Sequence, residues 1–251
     1  MRNKKFCSWL LVPSLWATFS AFTISSQDAR VIAEKIWRNE CAGTVEGLTH
    51  WNQGENFGSF GIGHFIWYPA GVEERFQETF PELLVFLQSS GVKLPAWLQE
   101  ARGCPWRTRE EFYRDIQSAK MGALRQLLME TKEQQAIFIT QRLEKTLGEM
   151  QEPLLKVFQR LARDPRGLYA LVDYLNFKGA GTSPAESYKG EGWGLLQVLQ
   201  RMPEASDRDV VVDFVEVAKA LLKRRVENAP PERNEARWLP GWLNRLNSYT
   251  Q

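Results

Sequence analysis

A cluster of glycines constrains the fold of this 251-residue chain more than any other feature of its sequence. Gly58, Gly61 and Gly63 lie close together, and His64 follows directly. Glycine in a strand interior packs no side chain and loses much backbone entropy on folding, so a regular buried strand does not explain the cluster. A tight turn does explain it, because glycine adopts positive φ and lets other groups approach the main chain. We therefore predict a small sheet of hairpins over residues 44–68.

A carboxylate, Glu40, lies upstream of this glycine turn at the end of a predicted helix. Asp28 is a favourable helix cap, and apolar residues recur at helical spacing over 29–39. A carboxylate at a helix C-terminus meets the negative end of the helix dipole, and the neighbouring Trp37 and Cys41 would reduce its hydration. We therefore expect Glu40 to face the glycine turn with a raised pKa. The competing interpretation is a solvated surface glutamate.

Helical patterns dominate the chain after the hairpin region. Their boundaries coincide with proline, glycine or short polar runs, and Thr108 is the predicted cap of one helix. The predicted helices cover 73–88, 109–130, 134–147, 153–163, 165–176, 192–202, 207–227 and 235–247. This order predicts an α+β fold that is mainly α, with a small β-hairpin lobe set against a larger helical lobe and a cleft between them. We expect a single domain over residues 27–251.

The N-terminus has the pattern of a secretory signal peptide, which we assign to residues 1–26. Basic residues precede a mostly apolar stretch over 6–22 that Pro13 interrupts, and small residues follow. The stretch is too short and too interrupted for a membrane span, although a retained anchor is the alternative. We expect a periplasmic or secreted protein with no stable membrane insertion after processing.

The charge of the predicted mature chain is close to neutral. Removing the basic residues of the leader changes the formal charge from +2 to about −1. A chain that binds nucleic acid through its phosphates normally carries a clear excess of basic residues. We therefore expect no nucleic-acid partner, and the sequence does not indicate an oligomeric state.

Two cysteines, Cys41 and Cys104, remain after the predicted leader. In an exported protein such a pair predicts a disulfide, with two buried free thiols as the alternative. Together with His50 and His64 they provide the residue types of a zinc site. However, the short ligand spacings typical of zinc sites are missing, so we expect no metal and no cofactor.

Several residues near the glycines have side chains suited to glycoside cleavage. Such cleavage requires one carboxyl group to deliver a proton and a second group to activate water or attack the sugar. Glu46 and Glu55 are both candidates for the second group, and Glu55 is nearer the glycines. Ser59 could hold a water, and His64 is either a base or a residue that fixes the hairpin. Aromatic side chains crowd the same region, where they either stack on sugars or form the core: Trp51, Phe57, Phe65, Trp67 and Tyr68.

The path from Glu40 to Ser59-Phe60-Gly61-Ile62-Gly63-His64 resembles the phage-type lysozymes of glycoside hydrolase family 24. In that family a catalytic glutamate at the end of the first helix precedes a threonine-x-glycine-x-glycine-histidine turn, and here Ser59 replaces the threonine. The segment from Ala170 to Thr182, which includes Asn176, resembles the central helix of the family and its glycine-x-glycine exit. The resemblance implies a lysozyme-like fold and cleavage of the glycan strands of peptidoglycan, with Glu40 as the general acid.

Combined with this resemblance, the residues lead to a set of site predictions. We assign catalytic roles to Glu40, Glu55 and Ser59. We assign substrate binding to Trp51, Asn52, His64 and Asn176.

The chain also departs from the pattern of that family. The spacing from Glu40 to His64 is longer than in the family, no aspartate takes the place of the second acid, and an extra segment precedes the helix at 109. Two alternatives therefore stay open within the same fold. One is a lytic transglycosylase, which can use one glutamate and the acetamido group of the substrate. The other is a cell-wall-binding protein without activity. A helical protein unrelated to sugars is a third interpretation.

Overall fold

Helices form most of the structure, a computed structural model that describes residues 24–72, 76–148, 150 and 152–251. The helices are α1 (Ser26–Cys41), α2 (Phe80–Ser89), α3 (Ala96–Gln99), α4 (Arg109–Arg114), α5 (Ala119–Glu130), α6 (Lys132–Gly148), α7 (Leu154–Ala162), α8 (Pro165–Lys178), α9 (Leu195–Arg201), α10 (Val210–Asn228) and α11 (Leu239–Asn247). The strands are β1 (Thr49–His50), β2 (Gly58–Phe60), β3 (Phe65–Trp67), β4 (Ser187–Tyr188) and β5 (Glu191–Gly192). The predicted class, α+β and mainly α, is confirmed.

Helix α1 begins one turn earlier than its predicted cap. Ser25 is the N-cap, because its hydroxyl accepts a hydrogen bond from the Asp28 amide at 3.0 Å and donates to the Asp28 carboxylate at 2.6 Å. Asp28 therefore lies in the first turn, where its negative charge interacts favourably with the positive end of the helix dipole. The helix ends at Ala42, which adopts a left-handed conformation with φ of 52°. The rest of the predicted leader, residues 1–23, lies outside the described residues.

The three-stranded antiparallel sheet has the order β1-β2-β3. Thr49, Phe60 and Phe65 are direct cross-strand partners, so their side chains share one face of the sheet, which packs on the core. His50, Ser59 and Ile66 are the next partners along and share the opposite face. The register therefore directs the side chains of His50 and Ser59 away from the aromatic core.

The glycine turn is attached to helix α6 by a buried glutamine. Gly61 has a φ of +74°, and its amide donates to the Leu48 carbonyl at 2.8 Å. The amide of Ile62 donates to Oε1 of Gln135 at 2.8 Å, and Gln135 is fully buried. A Cβ atom on Gly61 would lie only 2.3 Å from that same oxygen. The turn therefore needs glycine both for its backbone conformation and for this close contact.

Alanine at position 61 is expected to destabilise the protein more than alanine at position 54. Gly54 also has a positive φ, of +83°, but a Cβ atom on Gly54 would meet no heavy atom within 4 Å. Gly54→Ala should therefore lower the free energy of unfolding by about 1–2 kcal/mol, the cost of a left-handed alanine. Gly61→Ala should lower it by about 2–5 kcal/mol, because it also displaces Gln135 and leaves the Ile62 amide unpaired. Urea unfolding measures both, and equal losses would contradict the proposed role of the contact.

The helical lobe is built around α8, which is buried along most of its length. Helices α1, α6, α7, α9 and α10 all pack against it. One hydrophobic cluster runs from Ile32 in α1 to Tyr249 near the C-terminus and includes the inner face of the sheet. The sheet and the helices around α8 are thus joined by shared apolar packing, which fixes the end of α1 relative to the glycine turn.

Several predicted helices differ in extent from the observed ones. The helix predicted over 73–88 begins only at Phe80, and the helix predicted over 109–130 divides into α4 and α5 because Ser118 caps a new helix. Thr108 caps α4 as predicted, and its hydroxyl accepts from the Glu111 amide at 3.2 Å. Helix α3 and the β4-β5 hairpin were not predicted. In the described part of the chain, no helix combines the length and apolarity needed to cross a membrane.

The predicted disulfide between Cys41 and Cys104 is not formed, and both thiols are free and buried. The Sγ atom of Cys41 lies 3.7 Å from the Gly61 carbonyl, whereas the Cys104 amide donates to the Tyr68 carbonyl beyond β3. The two residues are therefore held at different parts of the sheet. Burial raises the pKa of each thiol to about 12, so both remain protonated near neutral pH.

Candidate active site around Glu40

The Glu40 carboxylate lies where α1, the glycine turn, α8 and α11 meet. Its Oε2 atom is 3.5 Å from Nδ1 of His64 in the glycine turn, and its side chain is only 15 % exposed. Its Oε1 atom is 2.7 Å from Nη2 of Arg245 and accepts a 3.4 Å hydrogen bond from the Asn176 amide. The structure thus brings together three of the predicted site residues, Glu40, His64 and Asn176, and places Glu40 against the glycine turn.

Arg245 reaches Glu40 because a buried aspartate holds its guanidinium. Nε and Nη2 of Arg245 donate to the two carboxylate oxygens of Asp173 at 2.8 and 2.7 Å. Asp173 is fully buried in α8 and also accepts a hydrogen bond from the Tyr249 hydroxyl. A bidentate pair of this kind fixes the orientation of the guanidinium. Arg245 therefore presents Nη2 to Glu40 in a defined position.

The pKa of Glu40 is lowered, so the expected rise is wrong. Burial is the largest single influence and raises the pKa, as the sequence suggested. However, the positive charge of Arg245, with smaller effects from His64 and Lys178, outweighs burial and gives a net lowering. The sequence argument failed because it considered only the neighbours of Glu40 along the chain, and its cationic partners come from distant segments.

His64 has a lowered pKa and is neutral near pH 7. Burial is the main cause, and it outweighs the opposite effect of the Glu40 carboxylate. The residue has a positive φ of 48°, and its Nε2 atom lies 3.9 Å from Sγ of Cys41. His64 is thus fixed between Cys41 and Glu40, which suits a residue that positions the carboxylate.

Glu55 belongs to a second polar group, next to the outer face of the sheet. The Asn52 amide donates to its carboxylate at 3.0 Å, and Oδ1 of Asn52 lies 2.9 Å from Nε2 of His50. The hydroxyl of Tyr113 lies 3.4 Å from Nδ1 of His50. Burial raises the pKa of Glu55 despite the hydrogen bond from Asn52. Asn52 and Glu55, two of the predicted site residues, are thus hydrogen-bonded to each other. Neither of them is in direct contact with Glu40.

Trp51, which was predicted to bind substrate, is a core residue whose ring faces are covered by packing. It is only 1 % exposed and packs on Phe112, with ring centroids 5.8 Å apart. Its indole N–H donates to the Glu55 carbonyl at 2.8 Å, so it supports the loop that carries Glu55. Ser59 is 5 % exposed on the outer face of the sheet beside His50. The other aromatic residues of the region are also buried: Phe57, Phe65, Trp67 and Tyr68.

A groove of about 350 Å³ adjoins the Glu40 site on the side of α11. It is lined by Arg38, Asn39, Phe177, Gly241, Trp242, Asn244 and Arg245. The indoles of Trp238 and Trp242 stack with centroids 6.3 Å apart, and Trp238 is 44 % exposed. The Lys178 ammonium covers the rings of Phe177 and Trp242 at 3.9 and 3.4 Å from their centroids, so the exposed Trp238 and the side-chain amides are the groups of this region suited to a sugar ring.

The sequence prediction missed Arg245, Asp173 and Trp242 as members of this region. A charged residue in an apolar helical stretch is a signal for Asp173, since buried carboxylates need a partner. No local pattern identifies Arg245 as that partner, because the pairing spans a large part of the chain.

The described residues contain no group of three or more His, Cys, Asp or Glu side chains placed to hold a metal ion. The zinc arrangement considered for Cys41, His50, His64 and Cys104 is therefore not formed. Comparison with models of protein families, with curated proteins and with solved structures found no match to this chain.

Proposed function

We propose that this protein is an exported enzyme that cleaves the glycan strands of peptidoglycan, with a lysozyme-like fold and Glu40 as the general acid. The observation that carries the proposal is the position of Glu40, a largely buried carboxylate that contacts both the glycine turn and the helical lobe. The groove beside Glu40 is lined by residues of α1, α8 and α11, and we assign it to the glycan strand. The motif resemblance supports the same conclusion from the sequence.

Glu40 must carry a proton when the leaving oxygen of the sugar reaches it. Arg245 keeps two hydrogen bonds to Asp173 when Glu40 is neutral, so protonation of Glu40 does not strand a buried guanidinium. Burial raises the pKa of Glu40, but the charge of Arg245 gives a net lowering in the free protein, so the proposed role requires Glu40 to take up a proton from water as a saccharide fills the groove. Glu40 then gives its proton to the glycosidic oxygen, while His64 and Asn176 orient its carboxyl group.

Glu55 is our candidate for the second carboxylate. A raised pKa suits a general base, because a base works best when its pKa lies near the operating pH. In this role Glu55 takes a proton from water, which attacks the anomeric carbon, and Asn52 orients its carboxylate. Ser59 would contact the same water or the substrate from the outer face of the sheet.

A lytic transglycosylase is the second candidate. The absence of any aspartate between Glu40 and residue 72 favours it, since the family that the motif resembles uses an aspartate there. In that reaction the C6 hydroxyl of the substrate, rather than water, attacks the anomeric carbon as the glycosidic bond breaks. The product therefore ends in an anhydro sugar. Glu40 serves as the acid in both reactions.

Glu55→Gln distinguishes these two reactions. If Glu55 activates water, the variant should release glycan fragments about 10²–10⁴ times more slowly than the wild type, the usual effect of losing a general base. The products of the wild-type enzyme should then have reducing ends by mass spectrometry. Full activity in the variant, together with anhydro ends, would instead identify a transglycosylase.

A further inference from the structure

A second cavity, of about 380 Å³, shares no lining residue with the groove beside Glu40. Its lining comes from the end of the sheet, from the segment that precedes α4 and from the start of α5. The lining includes Trp97, Glu100, Arg102, Cys104, Arg107 and Lys120. Its volume falls within the range of about 300–1,000 Å³ that is usual for small-ligand sites.

The backbone fixes the inner end of this cavity. The Cys104 amide donates to the Tyr68 carbonyl at 2.8 Å, and Cys104 pairs with Pro69 in a parallel bridge. Gly103 packs so tightly that a Cβ atom would lie 2.6 Å from the Ala70 amide nitrogen. The segment is therefore attached to the sheet by main-chain contacts, and the cavity is preformed.

An aromatic side chain forms one wall and is held in a fixed orientation. Trp97 packs edge-on against Trp106, with centroids 6.4 Å apart and an interplanar angle of 71°. The indole N–H of Trp106 donates to the Asp115 carboxylate at 2.8 Å, which fixes the supporting ring. The Lys120 ammonium lies 5.5 Å from the centroid of Trp97. A rigid indole beside a cation offers both apolar contact and charge to a ligand.

The described residues of the rim carry more positive than negative charge. Among them, Arg102, Arg107 and Lys120 line the cavity together with one carboxylate, Glu100. Within the residues that the structure describes, the charged ends of these three basic side chains form no ion pair. A single exposed basic side chain interacts mainly with water and contributes little binding energy. Here three surround one cavity, so their fields add at its mouth and favour an anionic ligand.

We propose that this cavity binds a short acidic peptide with two or more carboxylates, and that on the proposed substrate this peptide is the stem attached to the glycan. The substrate assignment rests on the proposed function. The three cations are distributed around a cavity with apolar walls, which fits separated carboxylates on a carbon-rich chain. A single phosphate would be better served by a compact cluster of backbone amides. The cavity would then select strands that carry peptides.

The test is direct binding of a synthetic stem tetrapeptide, without sugar, to the purified protein by calorimetry at low salt. The wild-type protein should bind it, and Arg102→Gln/Lys120→Gln should weaken the affinity about tenfold, because two charge contacts are lost. Lys223→Gln removes an exposed charge from α10 and should leave the affinity unchanged. The peptide with amidated carboxylates should also bind at least tenfold more weakly. Circular dichroism verifies that each variant is folded.

Equal affinity of the folded double variant and the wild type would overturn the proposal. So would displacement of the tetrapeptide by inorganic phosphate at the same concentration, since that would indicate a general anion site. Failure of the peptide to bind an enzyme that cleaves glycan would refute this inference and leave the proposed function intact. Carboxylate-dependent binding by a protein that cleaves nothing would support the acidic-peptide site while the proposed function fails.

Discussion

Replacing Glu40 by glutamine is expected to abolish the clearing of cell walls. The substitution keeps the shape of the side chain and removes its ability to donate a proton, which should lower the rate by roughly 10²–10⁴-fold or more. The amide can still contact Arg245, which stays paired with Asp173, so the protein should remain folded. The measurement is the loss of turbidity of a suspension of purified peptidoglycan, with circular dichroism as the check on folding.

Glu34→Gln is the matched control, because Glu34 lies on the same helix and also pairs with a cation, Lys132. That variant should keep full activity. Retained activity in Glu40→Gln would rule out Glu40 as the general acid. If the wild-type protein clears nothing but sediments with purified peptidoglycan, the alternative of a cell-wall-binding protein without activity would be favoured. The turbidity assay therefore reports catalysis, and sedimentation with peptidoglycan reports binding.

Asp173→Ala is expected to cause the largest loss of stability. Asp173 is fully buried and holds Arg245 through two hydrogen bonds, and it also accepts one from Tyr249. Removing one partner of a buried ion pair leaves an uncompensated charge and typically costs about 3–5 kcal/mol. Glu40 is the remaining partner of Arg245 in this variant, so it still balances part of the positive charge of Arg245. The pKa of Glu40 should fall further, because the negative charge of Asp173 is gone. Urea unfolding measures the free energy of unfolding.

Glu227→Ala is the control for this prediction. Glu227 pairs with Arg224 at 3.5 Å, but both side chains are exposed, at 69 % and 58 %. An exposed pair contributes about 0–1 kcal/mol, so its loss should be small. A loss below about 1 kcal/mol for Asp173→Ala would show that the buried pair does not hold the helical lobe together. Asp173→Leu combined with Arg245→Met should be less destabilising than Asp173→Ala, because no buried guanidinium remains and Glu40, which loses its cation, can become neutral by taking up a proton.

The sequence predicted the fold class because its signals are local. Helical spacing of apolar residues located most of the helices, and the glycine cluster located the turn next to β2 and β3. The errors occurred where local signals compete. Asp28 is a good cap, but Ser25 caps the helix one turn earlier, and Ser118 divides a helix that the periodicity alone continues.

The site could be predicted only in part. Glu40, His64 and Asn176 were singled out from motifs, and they lie together. Trp51 was assigned to substrate binding because aromatic residues serve both cores and sugar sites, and only its burial separates the two roles. The predicted disulfide failed for a related reason, since two cysteines in an exported chain indicate a bond only if the fold brings them together.

The sequence by itself determined the mainly helical class, the glycine turn and a carboxylate at the end of the first helix, because each depends on neighbouring residues. Only the tertiary structure decided the protonation tendency of Glu40. Its pKa depends on the balance between burial and the charge of Arg245, and Asp173 in α8 sets the position of Arg245. Electrostatic interactions act through space, so residues far apart in the chain fix the chemistry of a group that the sequence had already located.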